Sequence, residues 1–358
     1  MKPYKILVIN PGSTSTKIAV FEDEKIVFAD NIKHTTEELS MFGYIIYQHE
    51  FRKKLILQKL KEANIDLSQI DIIVGRGGLV KPILSGAYEV NDRLKEDLMK
   101  GVQGEHASNL GGLIADDIAK LTLNAKAYIV DPVVVDELQD VARITGHPDI
   151  PRTSIFHPLN QKSVARRFAK SLGKKYENLN LIVAHLGGGI SIGAHCKGKV
   201  IDVNNALDGE GPFSPERAGS LPAGALVKLC FSNRYTYDEV KKMLVGNGGL
   251  VALMGTNEAR DVEIQADKGD ERARLIQDAM CYQIGKSIGA MAAVLKGKVD
   301  GIILTGGIAH NKYLCSYIDE MVGFIAPIQV YPGEDEMTAL ATNGLMILNG
   351  ELKPIIYE

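Results

Sequence analysis

The sequence predicts an α/β chain built from two related domains, each a mixed sheet flanked by helices. Three observations predict it. The stretch "ILVINPGSTSTKIAVFEDEKIVFAD", residues 6–30, reads as an apolar strand, a turn dense in Gly and small hydroxyls, and then a second alternating strand. "LIVAHLGGGISIGAHCKGKVIDV", residues 181–203, repeats that plan, and matching Gly12 to Gly187 sets Asn10 opposite His185. "DIIVGRGG" at 71–78 returns as "DGIILTGG" at 300–307, with Asp71 and Asp300, Gly77 and Gly306, and Gly78 and Gly307 all at one offset, 300 − 71 = 229. One echo between short apolar strands is weak; two in the same order point to duplication.

The elements follow in order. The first strand ends at Asn10, and beyond the turn Ser13 and Ser15 lie two apart, which directs them to one side of an extended segment with Lys17 next in line. Residues 43–64 carry apolar positions at helical spacing; "KKLILQKLK" within them reads as a solvated helix face over an apolar stripe. The strand 71–78 ends in a Gly pair, and "GEHASNLGG" opens a small-residue helix in which His106 is either a cap or a ligand. Asp131 precedes Pro132 and His157 precedes Pro158; each either shapes the chain locally or takes part in chemistry. Residues 157–172 form the next helix, and Lys197-Gly198 is the tight turn of the second hairpin. Residues 271–296 form a long helix, acidic at its start, whose stripe Met280, Ile284, Ile288, Met291 and Leu295 belongs to a core. The domains are expected at 1–155 with 335–358, and at 156–334.

Composition bounds the function. At 358 residues the chain exceeds one ordinary core, and 45% hydrophobic with 24% charged residues is a globular balance. A net charge of −3 argues against nucleic acid or a membrane surface as partner. No apolar run nears the roughly 20 residues of a membrane span, and the start lacks the ~7–15 apolar residues of a signal peptide. Cys196, Cys230, Cys281 and Cys315 are widely spaced, so buried structural thiols in a reducing compartment, the cytoplasm, are expected.

Glycine-rich loops after strands expose backbone N–H groups that can wrap an anion. Neither standard phosphate fingerprint fits, because "GSTSTK" and "HLGGGISIG" both continue into strands rather than helices. One such loop alone reads better as an ordinary Asx or Ser turn capping a hairpin. Two, one per half, make a clamp for the two ends of a polyphosphate. In the third loop, "GIILTGGIAHNKYL", a helix does follow, and Gly306 and Gly307 either admit a flat group or serve a plain strand-to-helix turn.

The segments "INPGSTSTK", "GRGGLVKPI", "GEHASNLGG", "IVDPVVVDEL", "ITGHPDIPRTSIFHPLNQKSVARRFA", "AHLGGGIS" and "ERAGSLP" carry a resemblance over nearly the whole chain. It resembles the acetate kinase group of the actin, sugar-kinase and heat-shock-ATPase superfamily. The resemblance implies a duplicated ribonuclease-H-like, actin-like fold with an interdomain cleft, and reversible phosphorylation of a short-chain carboxylate by ATP with Mg²⁺. It implies homodimers or larger assemblies. It also implies roles: Asn10, Ser13 and Ser15 near the phosphoryl group, with Asn10 linked to the metal; His185, Gly187, Gly188 and Gly189 on the nucleotide phosphates; and Arg217 beside the reaction centre. His106 and His157 would lie near the transferred group and Asp131 would serve catalysis. Adenosine would lie on Gly306, Gly307 and the residues up to Asn311. Arg76 stands where the group has a second His and is expected to receive the carboxylate. The metal-linked acid is Asp335 or Glu336. A chain shorter than typical acetate kinases points to butyrate or a branched relative as substrate, with acetate or propionate as the alternative. A sugar or polyol kinase, a chaperone-like ATPase and a nicotinamide dehydrogenase are the readings outside this group.

Overall fold

The computed structural model describes residues 2–358 and divides the chain into two compact units. One holds the residues through Val135 together with Asp335–Glu358; the other is Asp136–Glu334. The division falls after Val135 rather than after residue 155 because the intervening segment bonds into the second unit. Gln139 N–H donates to Ile201 O at 3.0 Å, and the Arg152 guanidinium reaches Asp202 Oδ1 at 2.9 Å and Val203 O at 2.8 Å.

The first unit contains β1 (Lys5–Pro11), β2 (Ser15–Glu22), β3 (Lys25–Lys33), β4 (Ile72–Arg76), β5 (Ala87–Glu89) and β6 (Lys126–Val130), in the sheet order β3-β2-β1-β4-β6-β5. The second contains β7 (Asn180–Leu186), β8 (Ile190–Cys196), β9 (Lys199–Val203), β10 (Gly301–Gly306) and β11 (Ile328–Pro332), in the order β11-β10-β7-β8-β9. Read from the hairpin edge, both sheets run antiparallel through their first three strands and parallel through the next two, and the first sheet adds β5 antiparallel to β6 at its far edge. Duplication is thus visible in topology.

The repeated aspartates have a structural reason. Lys5 N–H donates to Asp71 Oδ2 at 2.7 Å while Asp71 N–H returns to Lys5 O at 2.9 Å. In the other unit Asn180 N–H donates to Asp300 Oδ2 and Asp300 N–H to Asn180 O, both at 2.8 Å. Each carboxylate clips the start of one parallel strand to its neighbour.

Parallel strands covered on both faces read as continuous apolar runs, and these do. Leu7, Ile9 and Ile73 pack with Leu110 and Ile114 of the helix Asn109–Ala119, while Gly344 of the helix Glu336–Leu348 sits on Ile6, Ile72 and Val74. In the second unit the helix Glu271–Val294 buries Met280, Ile284 and Ile288 against Ile182, Ala184 and Leu304; Met291 and Leu295 join the same core. Val164 and Phe168 of the helix Pro158–Ser171 cover Leu181, Val183 and Ile303 on the other face.

Two readings change. The stretch 43–64 begins with a short 3₁₀ turn, Ile45–Gln48, before the α-helix His49–Glu62. Cys230 is exposed, since it ends the helix Ala223–Cys230, in which no residue is buried; Cys281 is buried, with its thiol pKa pushed up to about 12 by desolvation. Among the described residues no helix is long and apolar enough to cross a membrane.

Candidate functional site

In open α/β sheets ligands collect at the carboxyl ends of parallel strands. In the first unit those ends bring together Asn10 of β1, Arg76 of β4 and Asp131 just past β6, whose Val130 pairs with Arg76. Asn10 is buried and donates from Nδ2 to Glu336 Oε2 at 2.7 Å. Arg76 grips the same carboxylate with two nitrogens, at 3.1 Å to Oε2 and 3.0 Å to Oε1, and lies 3.4 Å from Asn10 Oδ1. Of the two candidate acids Glu336 reaches this cluster. Asp335 caps the helix behind it, accepting from Thr338 N–H at 3.0 Å.

Glycines set the position of Arg76. A Cβ on Gly75 would strike the backbone of Gly111, and one on Gly111 would strike the Arg76 carbonyl, so "GRGG" and "NLGG" are two sides of one close contact. Asp131 takes a left-handed φ of 40° and uses Oδ1 to accept from Ser85 Oγ at 2.6 Å and Gly86 N–H at 2.9 Å. His106 is exposed ahead of its helix, and its Nδ1 accepts from Ser108 N–H at 3.2 Å.

The first loop turns on Gly12 N–H donating to Ser15 O at 2.7 Å. Thr16 and Ile18 are buried, and the alternation leaves Ser15 and Lys17 on the opposite face of β2, with Ser13 exposed in the turn. Arg52, buried beneath this loop, donates to the carbonyls of Gly12, Ser13 and Ser15.

The second unit gathers its groups at the ends of β7, β10 and β11. His185 is buried, its Nδ1 2.9 Å from Asn160 Oδ1 and its Nε2 2.9 Å from Glu334 Oε1. The His157 ring stacks on it with centroids 3.8 Å apart and planes 11° from parallel. A buried hydrogen-bonded chain holds the His157 ring in place. Gln161 donates from Nε2 to Ser191 O at 3.0 Å and Ser191 Oγ at 2.8 Å, so its Oε1 accepts from His195 Nε2 at 2.9 Å. His195 is therefore neutral and accepts at Nδ1 from the Tyr176 hydroxyl at 2.7 Å, in keeping with the downward push that burial gives its pKa. The Ser191 hydroxyl also lies 2.9 Å from His157 Nδ1, which ties that ring to the same buried chain.

Gly187, Gly188 and Gly189 form the turn after β7. Gly187 N–H donates to Gly189 O at 3.2 Å and Ser214 Oγ to Gly188 O at 2.6 Å. Arg217 lies directly against Gly189, where any side chain would displace it, and donates to the Ala206 carbonyl. Burial lowers its pKa, yet a guanidinium stays charged at neutral pH.

Beside this turn a cavity of about 970 Å³ is lined by Gly187, Gly188, Gly307, Ile308, Asn311 and Glu334, with Glu258 and Arg260 on its wall. The two late glycines divide their labour. Gly306 has φ +91°, and a Cβ there would meet the backbone of Leu186; a Cβ on Gly307 would meet open space. Asn311 spends Oδ1 capping the helix Lys312–Val322, accepting from Leu314 N–H at 2.9 Å.

Arg52, Asn160, Ser191, Ser214 and Glu334 are the groups that sequence reasoning missed. Among the described residues, His49, Glu50 and Asp117 form the one grouping of His and acidic atoms close enough to share a metal ion. Lys53 Nζ already bridges Glu50 at 2.5 Å and Asp117 at 2.8 Å there.

The sequence profile of the Acetokinase family matches residues 150–324. "Butyrate kinase 1" of Clostridium acetobutylicum is 58% identical over 355 residues, covering 99% of this chain and 100% of that protein. "Butyrate kinase 2" of the same organism is 59% identical, covering 99% of each. The crystal structure of Porphyromonas gingivalis acetate kinase superposes with a TM-score of 0.78 at 20% identity over 96% of this chain and all of that one. A propionate kinase from Francisella tularensis gives 0.76 at 20% identity over 95% and 98%. These two likenesses speak to the fold, which is the acetate kinase-like, actin-like one. On the near full-length identity to its relatives, the chain belongs to the acetokinase family, in company with the butyrate kinases.

Proposed function

We propose that this protein transfers the γ-phosphoryl group of ATP to butyrate or a branched relative, forming the acyl phosphate, and runs the reaction in either direction. The near full-length identity to two butyrate kinases is the observation that carries this reading.

The chemistry fits the groups present. A fatty acid, with a pKa of roughly 4–5 like Asp and Glu, is already an anion at pH 7 and needs no base to attack. The obstacle is repulsion between carboxylate and phosphate, so positioning and fixed positive charge matter most. Arg217 would hold equatorial oxygens of the transferring group through a fork that Lys cannot reproduce. Gly187–Gly189 and His185 would hold the nucleotide phosphates, and the cavity past Gly307 the adenosine, with Gly306 shaping the turn and Asn311 capping the helix behind it. Ser13, Ser15 and Lys17 would meet the phosphoryl group, and Arg76 the substrate carboxylate. His157, His106 and Asp131 would lie close to the transferring group.

Mg²⁺ needs few protein oxygens when bound to phosphates, and it supplies charge neutralisation there. Asn10 Oδ1 and one Glu336 oxygen make such a set. Asn10 and Glu336 would be the residues to hold the ion, and Arg76 and the Asn10 amide, which occupy the Glu336 oxygens here, would have to yield to it.

We further place the protein in the cytoplasm as a homo-oligomer; the helix Ala223–Cys230, with Val227 and the adjacent Phe231 exposed, is a face that a second copy would cover.

The deciding assay traps acyl phosphate with hydroxylamine across straight and branched two- to five-carbon acids. Butyrate or isobutyrate should give the highest kcat/KM. Preference for acetate would move the protein to another branch of the family, and turnover with sugars alone would refute the reading.

A further inference from the structure

The first loop is flanked from below by a charge that no described residue of its own unit neutralises. Arg52 is 1% exposed, and among the described residues its hydrogen-bond partners are neutral: Gly12 O at 2.8 Å, Ser15 O at 3.1 Å, Thr16 Oγ1 at 3.0 Å, Ser13 O at 3.3 Å and Gln48 Oε1 at 2.8 Å. Among the described residues no carboxylate pairs with it, and His34 beside it stays neutral, its pKa lowered to about 4 by burial and by this guanidinium. A buried cation without a counter-ion is strongly disfavoured, so something must offset it.

Peptide geometry says where the offset comes from. In a trans peptide the C=O and the following N–H point in opposite directions, and among the described residues no peptide bond is cis. Gly12 O and Ser13 O face Arg52, so the N–H groups of Ser13 and Thr14 face away from it. Both residues are exposed, and among the described residues no protein group accepts from either N–H. Thr14 O is held in turn by His34 N–H at 2.9 Å. Three of the four carbonyls from Gly12 to Ser15 are thus held by Arg52 and the fourth by His34 N–H, and the Ser13 and Thr14 donors are left facing away from the guanidinium. This is the arrangement of an anion-binding nest.

We propose that Arg52 is the positioning residue of the first phosphate loop: its fork gathers the loop carbonyls so that the Ser13 and Thr14 amides face outward, and its charge is balanced by the phosphate those amides bind. The proposal rests on the phosphotransfer reading for its ligand but is tested apart from it.

Thermal unfolding of the wild type with and without inorganic phosphate, beside Arg52→Met and Arg52→Lys, gives the test. Phosphate should raise the wild-type Tm by several degrees, Arg52→Met should lose that increment, and Arg52→Lys, which keeps charge without the fork, should retain part of it. In acyl phosphate formation kcat should fall about 10²-fold in Arg52→Met, the scale of a misplaced loop, with partial rescue in Arg52→Lys. If Arg52→Met does not fold, Gln48→Leu, which frees two of the guanidinium's donors, should still shrink the phosphate increment. Folded variants with lower Tm but an unchanged phosphate increment and kcat would reduce Arg52 to a structural residue and overturn the proposal. A wild type that makes no acyl phosphate would sink the enzyme reading instead, while the phosphate increment would still decide this one.

Discussion

The two units share a strand plan but build their candidate anion sites differently. In both, an aspartate clips the first parallel pair at its start, far along the strands from the chemistry. At the other end the units part company. The first loop has its carbonyls gathered by one buried guanidinium, and its strand ends carry an Asn, an Arg and a Glu returning from residue 336. The second loop has its middle carbonyl held by a serine hydroxyl, Arg217 laid along its flank, and a stacked pair of imidazoles beneath. Backbone-level anchors kept the duplicated sheets alike, while side chains at the carboxyl ends were free to diverge.

Four perturbations sharpen that contrast, from the largest effect down. Arg217→Ala should lower kcat on the order of 10³-fold, as loss of an arginine finger does, with ATP affinity changed only a few-fold; near-normal turnover would remove Arg217 from the chemistry. Next comes acid. The folded-state pKa of His34 is about 4 against an ordinary 6.5, so the unfolded chain binds the extra proton first. The stabilisation is fully present above about pH 6.5 and lost as pH falls toward 4, a swing of about 3 kcal/mol. Urea midpoints across that window should fall less steeply for His34→Gln, and equal slopes would exclude His34 as the source.

Third, the neighbouring glycines should behave in opposite ways. Gly306→Ala should destabilise by roughly 1–3 kcal/mol through its positive φ and its contact with Leu186. Gly307→Ala should leave Tm nearly unchanged but raise KM for ATP, because its new methyl enters the cavity. Last, Asp71→Asn and Asp300→Asn should each cost about 1–2 kcal/mol, similar in the two halves, without altering KM. Unequal costs would mean that the clips are no longer equivalent.

Much of this architecture could be read in the residues. The paired echoes marked equivalent strands because buried parallel strands leave few choices of residue and the clips require aspartate at one register. Lys197-Gly198 takes positive φ at both positions, as a tight hairpin demands. Arg52 escaped notice amid the lysines of "FRKKLILQKLK", although it falls on the i, i+4, i+8 stripe with buried Ile56 and Leu60. That stripe was the available signal. Glu334 had none: it follows a strand end and meets His185 only through the folded sheet. The choice between Asp335 and Glu336 was equally invisible, since a cap and a site ligand adjoin in sequence and differ only in the direction the first helical turn sends them.

The return of residues 335–358 to the first unit has a consequence for synthesis. The strands of that unit leave the ribosome early, yet the helix that covers Ile6 and Val74, and Glu336 with it, is among the last parts made. The middle of the chain is therefore complete and able to close while the earliest segment still waits with one sheet face bare. A chain ending just before Asp335, carried clear of the ribosome by an unstructured linker, should be protease-resistant from about residue 136 onward and sensitive ahead of it. Order of manufacture and order of completion run opposite ways in this molecule.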